Sequence, residues 1–298
     1  MQHVSEMGEV MKRLVLTFIL LAVLLVGVAV FRGEALALRW QASKAEAQTF
    51  DALVRRLQPN VSVHVPEGAE GLLPIIIQLH GCGGLSLPSH ERWARIANEA
   101  GYIAVIVDSN GPRGYDRTRA QAEICQGKSL LGQERAADVL AAYDIALEEE
   151  LADPDRVYLA GWSHGAWTAM DFMTMSFDQL PAGLTGYNGG WPTIEGAILF
   201  YPHCGLGALS RVRPWQERPK TLALIAGADT VVDHEACLAM FEELSGDGLP
   251  VETVLYPAME HAFDHISLPD DIAHWHNPEK AADAEARYRA FLNQSAEG

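Results

Sequence analysis

Val157-Tyr158-Leu159-Ala160-Gly161-Trp162-Ser163-His164-Gly165-Ala166 reads as a short apolar strand that turns sharply into a helix. Glycines at 161 and 165 bracket a serine in a G-x-S-x-G pattern, and residues without a Cβ let crowded backbones pass closely. A serine on such a turn stands clear of the sheet with a helix N-terminus pointing at it. Further apolar runs lie at 74–80, 102–108, 197–201, 221–226 and 251–256, the last with a more polar start. Helical stretches separate them at 91–100, 134–150, 166–175, 235–244 and 279–292. In 134–150, Ala137, Leu140, Ala141 and Ile145 fall on one face. Alternating strands and helices predict an α/β fold: a mainly parallel sheet of about eight strands with helices on both faces. In such sheets ligands bind beyond the carboxyl ends of the strands, so the segments following each run hold the candidate residues.

A serine hydroxyl needs a base to take its proton. Asp229 follows the run 221–226 and His261 follows 251–256, so both belong to loops on the same edge as Ser163. Asp233 competes with Asp229 as the orienting acid, and His265 and the pair His274/His276 compete with His261. These histidines lack the helical spacing of a metal site, and no metal is expected. His80-Gly81-Cys82-Gly83-Gly84 follows the most apolar run. Backbone N–H groups of Cys82 or Gly83, with that of His164, are candidates for an oxyanion hole. No Lys-Ser/Thr follows these glycines, which argues against a phosphate-binding loop. Trp162, Tyr201, Trp191 and Arg113 are candidate pocket residues. The stretch 177–192, with Tyr187 and Trp191 among glycines, is a candidate lid. Arg113 is open to two readings, a salt bridge or a receiver of an acidic substrate group.

The formal charge of −17 argues against partners such as nucleic acid or an anionic membrane surface. Ahead of the alternating region, Lys12 and Arg13 precede an apolar run over 14–31. As a helix it would rise about 27 Å, just short of a hydrocarbon core of about 30 Å. Ala35-Leu36-Ala37 offers a small-residue cleavage site. Residues 1–37 therefore read as a signal peptide or a membrane anchor, either of which places the remainder outside the cytoplasm. Met11 is an alternative start. Residues 38–60 read as a connector and 61–298 as the catalytic domain. Cys82, Cys125, Cys204 and Cys237 make an even count, which in an exported chain suggests two disulfides; four cysteines allow three pairings.

From Pro74 onward the chain resembles the dienelactone hydrolase family of α/β-hydrolases. The resemblance rests on "LHGCGGL", "GYIAVIVDSNGPRG", "RAADVLAAYDIAL", "LAGWSHGA", "LFYPHCG", "IAGADTVVD" and "YPAMEHAFDH" in order. It implies Ser163 as nucleophile, Asp229 as acid, His261 as base, and a hydrolase without a cofactor. Dienelactone hydrolases proper use a cysteine nucleophile, so Ser163 points to ordinary carboxylic esters or other lactones as small-molecule substrates. In this fold the third strand lies beside the fourth and the sixth beside the seventh, which implies the bridges Cys82–Cys125 and Cys204–Cys237. A peptidase, an acyltransferase and a non-catalytic binding protein on the same fold are the competing readings.

Overall fold

The computed structural model describes residues 2–296, without the side chains of residues 2–10, 12, 14, 24–26, 28–31 and 296. It falls into two units, 1–41 and 42–298. The first is the helix α1 (Gln2–Ala42). The apolar run 14–31 lies partly outside the described side chains. Among the described residues no helix is long and apolar enough to cross a membrane, and the anchor and signal-peptide readings gain no support. The second unit starts well before Val61. Within the stretch read as a connector, α2 (Phe50–Leu57) buries Phe50, Leu53 and Leu57, an amphipathic pattern two turns long.

The strands are β1 (Gln48–Thr49), β2 (Val61–His64), β3 (Leu73–Leu79), β4 (Ile103–Val107), β5 (Ala152–Trp162), β6 (Leu184–Thr185), β7 (Ile194–Phe200), β8 (Lys220–Ala226) and β9 (Val251–Tyr256). Seven of them form the main sheet in the order β2-β4-β3-β5-β7-β8-β9, and β1 pairs with β6 separately. Every neighbouring pair in the main sheet is parallel except β2 and β4. Central strands are covered on both faces, so β3, β4, β7 and β8 are nearly continuous apolar runs. The edge strand β9 is less covered, exposing Glu252, Thr253 and Leu255 and burying only Tyr256.

The remaining helices are α3 (Leu87–Glu99), α4 (Arg117–Glu123), α5 (Gly132–Arg135), α6 (Ala137–Ala146), α7 (His164–Met173), α8 (His234–Gly246) and α9 (Pro278–Ala296). Trp93 of α3 and Tyr288 and Phe291 of α9 join Ile76, Tyr158, Ile198 and Leu222 in one apolar layer. Helices α6 and α7 contribute nothing to that layer and pack on β3, β4 and β5 from the other side. The helix expected over 134–150 is two pieces, because α5 ends at Arg135 and α6 begins two residues later. All ten residues of α7 are buried, so the helix that carries the serine turn is locked into the centre of the molecule.

Candidate active site

The turn from β5 into α7 holds Ser163 at φ 54° and ψ −113°. This left-handed backbone costs a non-glycine residue on the order of 1–3 kcal/mol and persists only where surroundings enforce it. The surroundings do so here. A Cβ on Gly165 would lie 1.8 Å from the Leu79 carbonyl oxygen, and one on Gly161 would lie 2.5 Å from Ala166 Cα. The glycines thus let the turn pass against the end of β3 and the start of its own helix. The Ser163 N–H donates to the Phe200 carbonyl of β7 at 2.9 Å. Among the described residues the other non-glycine positive φ values belong to Leu130, Tyr201 and Ala262, and the last two flank the same edge of the sheet.

Ser163 Oγ lies 2.8 Å from His261 Nε2, and His261 Nδ1 lies 2.6 Å from Asp229 Oδ2. A carboxylate only accepts, so the Nδ1–H donates to Asp229 and Nε2 is left to accept the serine proton. The other oxygen of Asp229 accepts the N–H groups of Val231 at 2.8 Å and Val232 at 3.0 Å. The Asp229 side chain is 0% exposed and that of His261 8%. Low exposure keeps water from competing for these bonds. Asp233 is occupied elsewhere: it caps α8, its carboxylate accepting the Ala236 N–H at 3.2 Å. The His265 ring packs 5.9 Å from His90, His274 is exposed, and the half-buried His276 is in neither bond of the serine chain. Among the described residues no cluster of ligands is arranged for a metal.

The glycine loop after β3 reaches the serine, since a Cβ on Gly81 would touch Ser163 Cβ at 3.7 Å. Cys82 is disulfide-bonded to Cys125, and its carbonyl accepts the Asn110 side-chain amide at 3.0 Å. Gly83 sits beside Cys82, and Gly84 closes the loop with φ 104° and an N–H donated to Gly81 O at 3.2 Å. His164 opens α7, where the first N–H groups lack intrahelical acceptors. The second disulfide joins Cys204 to Cys237; both pairs are those that the resemblance implies.

Three of the four pocket candidates have structural employment. Trp162 is fully buried, stacks on Phe200 at 4.9 Å and donates its indole N–H to Asp264 at 3.0 Å. Trp191 stacks on Phe172 at 5.0 Å. Arg113 is held by Asp138 in a two-pronged pair at 2.6 and 3.0 Å, so its guanidinium is not free for a substrate. Only Tyr201 borders the serine chain, its ring 4.6 Å from His261 and its hydroxyl donating to Asp264 at 2.6 Å. The lid candidate is pinned at the flank: Leu184–Thr185 pairs with Gln48–Thr49, and Tyr187 packs on Phe50 at 4.7 Å.

Two residues that sequence reading missed frame the site. Asp264 is buried and ties the serine turn, through Trp162, to the β7 loop, through Tyr201. Arg135 is fully buried and donates to Ser109 Oγ, His80 O and His164 Nδ1. Asp264 lies three positions beyond His261 in "HAFDH", a local hint; Arg135 opens the stretch "RAADVLAAYDIAL", which carries the resemblance but gives the arginine no role. Below the loop, His80 is buried, and burial with the nearby Arg135 charge lowers its basicity. The Asp108 carboxylate beside it accepts the backbone N–H groups of Asn110 and Gly111, each at 3.0 Å.

Comparison with known proteins agrees with this architecture. Residues 89–187, which include Ser163 but neither Asp229 nor His261, match the model of the prolyl oligopeptidase family. An acylamino-acid-releasing enzyme of Arabidopsis thaliana is 31% identical over 110 residues, 37% of this chain, and the chain spans only 14% of that relative's length. A candidate dienelactone hydrolase of Klebsiella pneumoniae superposes with a TM-score of 0.61 at 19% identity, covering 78% of this chain and 92% of that one. A thermophilic esterase of Thermogutta terrifontis, bound to propionate, superposes with a TM-score of 0.57 at 16% identity, covering 78% and 88%. With its mainly parallel sheet, its helices on both faces and its serine on the turn after β5, the chain is an α/β-hydrolase in fold.

Proposed function

We propose that the protein is a serine hydrolase that cleaves carboxylic ester or lactone bonds through an acyl-enzyme. The observation that carries this reading is the continuous chain from Ser163 Oγ to His261 to Asp229, at 2.8 and 2.6 Å. In the proposed reaction Ser163 Oγ attacks the carbonyl carbon as its proton passes to His261 Nε2. The tetrahedral oxyanion is received by the N–H groups of His164 and of Cys82 or Gly83. Collapse expels the alkoxide, which takes the proton from His261, and water repeats the sequence to release the acid. Asp229 keeps the imidazole in the tautomer that accepts at Nε2 and stabilises the imidazolium. The two disulfides suit an oxidising compartment, and an exported location fits them.

The test is hydrolysis of short and medium p-nitrophenyl esters by the full chain beside Ser163→Ala. Loss of such a nucleophile lowers kcat by about 10⁶, so activity should fall to background in the variant. Equal, weak activity in both proteins would remove the nucleophile assignment. The prolyl oligopeptidase match favours a second reading, cleavage of acylated amino-acid amides. The chain overlaps only a small part of the plant enzyme, yet spans most of the esterase-like structures, which favours esters. An acetyl-alanine p-nitroanilide turned over faster than p-nitrophenyl acetate would reverse that preference.

A further inference from the structure

We infer that Arg135 is a positioning residue for the oxyanion-binding half of the site, holding His164 and the loop 80–84 as one unit with a fixed positive charge behind them. The inference rests on the acyl-transfer reading above. Arg135 is 0% exposed. Its three acceptors are all neutral: Ser109 Oγ at 2.9 Å, His80 O at 2.7 Å and His164 Nδ1 at 2.8 Å. Asp138, the carboxylate three positions along the chain, has both oxygens committed to Arg113. Among the described residues Arg135 Nη2 has no hydrogen-bond partner. A buried guanidinium without a hydrogen-bonded carboxylate is an expensive arrangement, and an apolar side chain would fill the space without that cost.

Its acceptors indicate what offsets the cost. A single nitrogen, Nη1, bridges the two segments that carry the candidate oxyanion donors. One is the carbonyl of His80, the residue leading into Gly81-Cys82-Gly83; the other is the ring of His164, whose own peptide N–H is the first of α7. Arginine only donates, so His164 Nδ1 must accept and the ring is neutral. Burial and the Arg135 charge hold His164 well below its ordinary basicity. The network then closes on the loop. Ser109 N–H donates to His80 Nε2 at 3.1 Å, and His80 Nδ1–H donates to Gly81 O at 2.6 Å. A neutral ester gains little from a fixed cation behind these segments, whereas the oxyanion gains much, so the effect belongs to the transition state.

The test compares wild type, Arg135→Met, Arg135→Lys and His164→Phe as full chains. It reads kcat and KM on p-nitrophenyl acetate and inhibition by phenylboronic acid, which becomes a tetrahedral anion on the serine. Arg135→Met should lower kcat by about 10²–10³, the scale of losing an oxyanion donor. KM should stay within about 3-fold, with boronate affinity falling in parallel and Arg135→Lys recovering part of both. A folded Arg135→Met that keeps kcat and boronate affinity within about 3-fold of wild type would overturn the inference, whatever happens to its melting temperature. If Arg135→Met does not fold, His164→Phe cuts the tether and spares the peptide N–H. About 10-fold losses of kcat and boronate affinity at constant KM would support the inference; wild-type values would overturn it. Wild type without Ser163-dependent turnover or boronate binding would instead sink the acyl-transfer reading, and this inference with it.

Discussion

Asp229 and Asp233 share one loop and one chemistry, and their hydrogen bonds assign them different work. Asp229 takes the His261 Nδ1–H with one oxygen and two backbone N–H groups with the other, so its carboxylate is fixed from both sides. Asp233 faces the first turn of α8 and satisfies a free N–H there. If Asp229 orients the base, Asp229→Asn should lower kcat by about 10⁴, as loss of the correct imidazole tautomer does in such triads. Asp233→Ala should leave kcat within about 2-fold and cost about 1 kcal/mol of stability, the usual value of an N-cap. Ester kinetics and thermal melts on the two variants measure both, and a collapse of kcat in Asp233→Ala would exchange the assignments. The sequence narrowed the acid to two candidates and could go no further, because cap and catalytic acid differ only in which way the carboxylate turns. Ser163 was legible because a strained turn needs glycines beside it. Arg135 and Asp264 were not: their partners lie up to 55 and 102 residues away in sequence, and no local pattern encodes such a bond.

Among elements, legibility follows burial. Strands covered on both faces spell themselves as apolar runs, so β3, β4, β7 and β8 fall where periodicity puts them. The antiparallel edge strand β2 and the short helix α2 carry weaker signals, and α2 is fixed by packing on α6 and, through Phe50, on Tyr187. The break between α5 and α6 falls directly after Arg135, which is fully buried. The two disulfides brace loops on the carboxyl edge of the sheet. They close loops of 43 and 33 residues, each stabilising by about 3–4 kcal/mol in the chain-entropy account. Their exposure differs: Cys82 and Cys125 are half-buried, whereas Cys204 and Cys237 are each 1% exposed. Thiolate attack needs access, so mild dithiothreitol should open Cys82–Cys125 first. Because Cys82 lies in the loop beside Ser163, kcat should decline before the fold is lost. Timed alkylation with mass spectrometry, run beside turnover and circular dichroism, would follow this order. Simultaneous opening of both bridges with unfolding would contradict it.

The charge of the whole molecule is unevenly distributed along the chain. From residue 221 to residue 279 there are twelve carboxylates and no lysine or arginine, and this stretch supplies both Asp229 and His261. A one-signed field over a partly enclosed site changes the rate at which charged molecules arrive, and salt screens it. The screening length is about 30 Å at 10 mM salt and about 3 Å at 1 M, so the field acts across the site in the first condition and hardly beyond contact in the second. Capture is read by kcat/KM and not by kcat. The ratio of kcat/KM for a cationic ester such as acetylthiocholine to that for an anionic one such as p-nitrophenyl succinate should therefore fall by about 3–10-fold between the two salts, a modest share of the 10–10³ that steering can supply. A neutral acetate should change little. Using the change with salt, and not the ratio itself, separates steering from local preferences of the pocket, because short-range contacts survive 1 M salt. A ratio insensitive to salt would mean that basic groups near the serine, such as Arg117 beside Gly83, cancel the carboxylates where substrates enter.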